Sequence, residues 1–294
     1  MNPFSMSLLL FGEGYETPTD FVDLIIRAEE LNYEKVWLGE HYTFNNLWCN
    51  PEPLLPVALS YTSKISIGCA GLLVRLHSSY RIANNFKLLS SIFPNRVDLG
   101  YAAGNTGFSH LNNILVDTVK DFSEAVSQIH HFLDNSERLL IDNIPVAPYL
   151  GNIPNQWLLM GGYKMLGLAL DLQLNVSRSI FHRGVSLDFQ RDTLLRFKEQ
   201  FFITNGFEPK INLAFSGVCH SDKFEAKKIY RESTISKSEF IVPNIIGTPS
   251  EFIETIGNYQ MEYGIDDFVF MNLAERSIDK LIGMELLSNI FKKI

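Results

Sequence analysis

The chain has 294 residues, 46% hydrophobic and 20% charged, enough apolar material for one large core and a length that a single α/β barrel fills. Its net charge of −8, with no cluster of Lys and Arg, excludes nucleic acid as a partner, because neutralising phosphates requires concentrated positive charge. No apolar run approaches the roughly 20 residues that a membrane-spanning helix needs.

Short apolar runs alternate with longer amphipathic stretches, the pattern of repeated βα units and a parallel sheet. The first eleven residues lack a basic n-region and a small-residue cleavage site. They read as a first strand over 4–10 and not as a leader, so the cytoplasm is the expected location. Thr17-Pro18-Thr19 is a helix-start signal, and Phe21, Leu24, Ile25, Ala28 and Leu31 then fall on one helical face. Strands two to four are expected over 35–38, 65–70 and 96–100, with helices over 53–62 and 79–91 between them. Beyond Gly104 come a loop, a helix over 116–133 and an irregular, Pro-containing stretch over 134–155. Strands five to eight follow over 157–160, 176–181, 211–218 and 267–271, and a last helix lies near the carboxyl terminus. No Gly-, Ser- or Pro-rich linker interrupts this order, so residues 1–294 are read as one domain. Cys49, Cys69 and Cys219 lie far apart, without CxxC spacing or a companion His pattern, and are expected as reduced thiols with no structural metal.

Several runs carry more than periodicity. Val36-Trp37-Leu38-Gly39-Glu40-His41-Tyr42 leads to Pro51-Glu52-Pro53-Leu54-Leu55, then to Ile65-Ser66-Ile67-Gly68-Cys69-Ala70-Gly71 and Leu76-His77-Ser78. Asn95-Arg96-Val97-Asp98-Leu99-Gly100 continues the order, followed more loosely by residues 158–162, Gly247-Thr248-Pro249 and Tyr263-Gly264-Ile265-Asp266-Asp267. In this ordered set the chain resembles the bacterial luciferase-like flavin monooxygenases. The resemblance implies a single (β/α)8 TIM barrel that binds reduced FMN, or in some relatives the deazaflavin F420, and uses dioxygen to oxidise a small organic or biosynthetic intermediate. It also implies a homo- or heterodimer. Nothing here reads as a GxGxxG nicotinamide fingerprint after a strand, so a separate flavin reductase is the expected supplier of reduced FMN.

The resemblance also nominates site residues. His41 follows strand two, at the end of the barrel where catalytic groups sit, and the matching His in the family handles protons beside the flavin. The competing role for His41 is a hydrogen bond to a neighbouring loop; Glu40 reads as an orienting carboxylate, and His77 as structural. The family often places a cis peptide against the flavin ring, which would here join Ala70 to Gly71. After strand four the family's Gly-Arg-Gly is replaced by Ala102-Ala103-Gly104, with Ala103 where an Arg pairs the flavin phosphate. After strand five its Gly-Ser-Ser is replaced by Gly161-Gly162-Tyr163-Lys164, which keeps backbone donors and loses the hydroxyls. Lys164 and Arg75 are the candidate replacement cations. Tyr101, Asn105 and Phe108 are expected to line the strand-four loop. The missing phosphate ligands leave a second reading, a non-catalytic flavin-binding or partner subunit of a luciferase-like complex. An F420-dependent oxidoreductase would need a basic cleft, which net acidity disfavours.

Overall fold

The computed structural model describes residues 2–15, 17–134, 142–183 and 190–291. Its centre is a closed barrel of eight parallel strands: β1 (Ser5–Leu10), β2 (Lys35–Leu38), β3 (Ser66–Leu73), β4 (Val97–Ala102), β5 (Asn155–Met160), β6 (Asn175–Ser179), β7 (Ile211–Cys219) and, after a short β8 (Ile245–Gly247), β9 (Asp267–Asn272). Each strand pairs with the next through β7, and β9 closes the ring between β7 and β1. All eight strands expected from the sequence are present. β8 is an addition to them: three residues pairing with the tail of β7 at Gly217–Cys219, too short for alternation to be read.

Helices cover the outside of the barrel, beginning with α1 (Pro18–Glu30), α2 (Leu54–Tyr61), α3 (Ser79–Ile92), α4 (Ser109–Leu115) and α5 (Phe122–Leu133). The second half adds α6 (Leu166–Asp171), α7 (Gln190–Asn205), α8 (Lys223–Glu232), α9 (Pro249–Tyr263) and α10 (Ser277–Phe291). α1 starts where its signal predicts. The Thr17 hydroxyl accepts from the Asp20 N–H, the Asp20 carboxylate accepts from the Thr17 N–H, and Pro18 occupies the first turn. Such a cap contributes about 1 kcal/mol. The expected helix over 116–133 is a correction: Val116 is extended, and the helix begins at Phe122 because Asp121 accepts the Glu124 N–H at 3.0 Å. Part of the irregular stretch over 134–155 lies outside the described residues.

Strand alternation sorts the core into two parts. Leu8, Val36, Ile67, Leu99, Leu158, Val176, Leu213 and Phe268, one from each barrel strand, pack outward into a shell with the helices. Burial of each such side chain stabilises the fold by roughly 1.5–3 kcal/mol. Leu9, Trp37, Ala70, Trp157, Ala214 and Val269 form a separate cluster. Below it the barrel is polar. Lys35 pairs with Asp98 at 3.2 Å, and the Trp157 indole N–H donates to Asp98 at 2.6 Å. Ser5 donates to Asp267 at 3.0 Å, and burial raises the Asp267 carboxyl to about 6. This charged network plugs the amino end and leaves the carboxyl end open as an apolar cup. No described helix is long and apolar enough to cross a membrane.

Candidate active site

The cup is a cavity of about 370 Å³ at the carboxyl ends of the strands, within the range of small-molecule sites. Leu9 and Phe11 enter from β1, Trp37 and Glu40 from β2, Ala70, Gly71 and Leu73 from β3, and Ala102, Ala103 and Gly104 from β4. Leu159, Met160 and Gly161 come from β5, and Ser177, Ser179, Phe181 and His182 from β6 and its extension. The Ala70–Gly71 peptide bond is cis, as the resemblance implies. A side chain at Gly71 would lie 2.7 Å from the Ala102 Cβ, so this stretch of wall is confined to backbone and methyl groups. Trp37 is buried, and its indole N–H has no acceptor in the described protein.

One wall is built around Glu40. Its carboxylate accepts the Leu73 N–H at 2.8 Å and the Tyr42 hydroxyl at 2.8 Å, and lies 2.7 Å from Nε2 of His77. The Glu40 side chain is fully enclosed, while His77 keeps 17% of its side chain exposed. Burial alone would lower the His77 pKa; the hydrogen bond and charge of Glu40, with the charge of Glu52, outweigh burial and raise it. His77 is thus a hydrogen-bonded partner of a buried carboxylate that favours its charged form.

His41 packs beside the cavity and does not line it. It is half exposed, packs edge-on against Phe11 at 5.7 Å, and places Nδ1 3.4 Å from a Glu13 carboxylate oxygen. Its predecessor Glu40, and not His41, lines the cavity. Tyr101 is a further correction: β4 alternation turns it outward, where it is buried in the shell and donates to Gln156 at 2.6 Å. Asn105 and Phe108 are exposed on the strand-four loop, and the Phe108 ring meets Phe44 at 5.7 Å.

The candidate cations differ in how far they are committed. Arg75 donates to the carbonyls of Lys120 at 2.8 Å and Ala103 at 3.4 Å, so its guanidinium braces the strand-four loop. Lys164 is exposed, beside Gly161 and Gly162. The residue that sequence reasoning passed over is Arg178 on β6, fully buried, bonded to the Gly161 carbonyl at 2.8 Å and stacked over the Tyr163 ring at 5.1 Å. Its signal was present: an arginine inside a strand of otherwise small residues is rarely buried without a task. Across the cavity from Glu40, His182 has its pKa lowered by partial burial and by the charge of Arg178.

Fold and cavity together define a (β/α)8 barrel with an apolar cup at the carboxyl ends of its strands. A family model for luciferase-like monooxygenases matches residues 5–138, the stretch that carries Glu40, His77 and the Ala70–Gly71 wall. N-acetyl-S-alkylcysteine monooxygenase of Bacillus subtilis (strain 168) is 25% identical over 95% of each chain. Among solved structures, apo-MsnO8 superposes with a TM-score of 0.83 at 21% identity over 98% of both chains. The oxygenating constituent of 3,6-diketocamphane monooxygenase from Pseudomonas putida, a type II Baeyer-Villiger monooxygenase in complex with FMN, superposes at 0.75 with 16% identity over 100% of this chain and 99% of that one. These two structures bear on the fold. Over residues 5–138 the chain is similar to the luciferase-like monooxygenases, and over nearly its whole length to one curated monooxygenase.

Proposed function

We propose that this enzyme is a flavin-dependent monooxygenase that takes reduced FMN from a separate flavin reductase and uses dioxygen to oxidise a small, largely apolar organic molecule. The observation that carries the proposal is the cup itself, with a flat wall of Ala70, Gly71, Ala102 and Ala103 facing Leu159, Met160 and Phe181. A planar aromatic ring suits that space. The unpartnered Trp37 N–H and the hydroxyl of Ser177 offer donors to ring carbonyls and nitrogens. At the edge of the cup, Gly161, Gly162 and Lys164 would receive the phosphate, Ala103 contributing space and no charge. When bound, the flavin supplies the activation of dioxygen that side chains cannot perform. The chain's own share is to position, to exclude water with its apolar walls, and to hold protons at the rim.

Glu40 ties the ends of β2 and β3 together and keeps the Ala70–Gly71 wall in register. His41, with the Glu13 carboxylate beside its Nδ1, is the proton-handling group at the rim. FMN is favoured over F420 because no Lys or Arg is among the described residues lining the cavity, so a polyanionic tail would find little positive charge there. The exposed Val57, Tyr61, Leu88 and Ile92 on α2 and α3 make an apolar face suited to a dimer, homomeric or with a related subunit. On this reading the whole chain is one luciferase-like domain working in the cytoplasm.

The test is a fluorescence titration of the purified protein with FMN, reduced FMN and F420. Micromolar binding of FMN in either redox state, with weaker binding of F420, supports the proposal. No flavin binding at millimolar concentration overturns it and leaves the partner-subunit role.

A further inference from the structure

The loop after β5 is held from behind. Arg178 has no exposed surface, and its guanidinium donates to the carbonyls of Gly161, at 2.8 Å, and Ser179. It also lies over the ring of Tyr163, two residues further along the same loop. The peptide bond after Gly161 is trans, and in a trans peptide the C=O and the following N–H point in opposite directions. Holding the Gly161 carbonyl on the Arg178 side therefore turns the Gly162 N–H away from Arg178, in a loop whose preceding residue, Gly161, lines the cavity. That N–H has no acceptor among the described residues. The space beside it is open, since a Cβ built on Gly162 meets nothing within 4 Å.

We propose that Arg178 is a positioning residue that presents the Gly162 N–H to an anionic oxygen, which on the flavin reading, where this inference rests, is the phosphate of FMN. The arrangement matters here because Ala103 and Gly162 themselves bring neither charge nor hydroxyl. It differs from a direct ion pair: the buried guanidinium aims a backbone donor and leaves contact with the ligand to that donor and to Lys164.

FMN and riboflavin share the ring and side chain and differ by the phosphate, so the ratio of their affinities isolates this contact. Four variants of the full chain are titrated with both ligands by fluorescence quenching, and their folding is checked by melting curves. Gly162→Pro removes the N–H and leaves Arg178 untouched; Gly162→Ala keeps the N–H and fills only open space. Arg178→Met removes the brace, and Arg178→Lys restores part of it. The parent and G162A are expected to prefer FMN, whereas G162P and R178M lose roughly tenfold to hundredfold of that preference with riboflavin affinity unchanged. R178K falls between them. If R178M does not fold, the comparison of G162P with G162A decides alone, and an equal preference in those two overturns the proposal. A parent chain that binds both flavins equally also overturns it while leaving the flavin reading intact. A parent that binds neither removes the flavin reading and this inference together.

Discussion

The two sides of the cavity mouth are built on opposite plans. On the β2–β3 side the polar groups gathered on Glu40 are internally satisfied: Glu40 takes three donors, and His77, Tyr42 and the Leu73 N–H are spent on it. On the β5–β6 side the internal bonds turn their backs to the cavity, leaving the Gly162 N–H, the Lys164 ammonium and the Ser177 hydroxyl facing outward or into the cup. A closed network fixes shape, and an open set of donors awaits a ligand. The difference teaches where substitutions should act on stability and where on binding.

Breaking the closed side has the largest expected effect. Glu40→Ala strands three donors in a buried position, and removing one partner of a buried charged network costs about 3–5 kcal/mol. Urea unfolding should show a loss of that size, with flavin affinity falling because the Ala70–Gly71 wall loosens. A loss below about 1 kcal/mol would mean that the network is ornamental and the two sides are not distinct.

The imidazoles of the two sides should titrate in opposite directions. His77 has a folded pKa above its ordinary value. Its stabilising contribution is therefore complete below about 6.5 and is lost as pH rises through the folded value. His182 has a folded pKa below the ordinary value, set by burial and by Arg178. Its protonation therefore opposes folding as pH falls through about 6.5 and toward the folded value. Imidazole NMR titrations should place His77 above and His182 below the free residue. Glu40→Gln should lower the first and leave the second in place, and a shift of both would show that one electrostatic field governs the whole mouth.

The closed side was far more legible in the sequence than the open one. Glu40, His41, Ala70, Gly71 and His77 lie in contiguous runs tied to strand ends, and a strand end is readable from where an apolar run stops. Which of Glu40 and His41 faces inward was not readable, because β2 ends at Leu38 and alternation no longer assigns faces beyond it. The face of Tyr101 could have been assigned, since Leu99 and Tyr101 share the outward side of β4. Arg178 escaped because its partners, Gly161 and Tyr163, lie some fifteen residues away across a helix, and only β5–β6 pairing brings them together. β8 and the start of α5 depended on a three-residue pairing and a single Asp cap, both finer than periodicity resolves.

The smallest expected effect falls on Lys164, and it sharpens the comparison by separating an exposed charge from an aimed donor. An ammonium in water pairs weakly with an anion, contributing about 0.2–1 kcal/mol, and salt screens it. Lys164→Ala should therefore weaken FMN binding less than about fivefold, an effect that disappears in molar salt, with riboflavin binding unmoved. Arg75→Ala should act differently, loosening the strand-four loop through the lost Lys120 and Ala103 carbonyl bonds and weakening both flavins alike. If K164A instead costs as much as R178M and the loss survives high salt, the lysine is the desolvated phosphate ligand, and the open side is organised around a direct ion pair and not around a positioned backbone N–H.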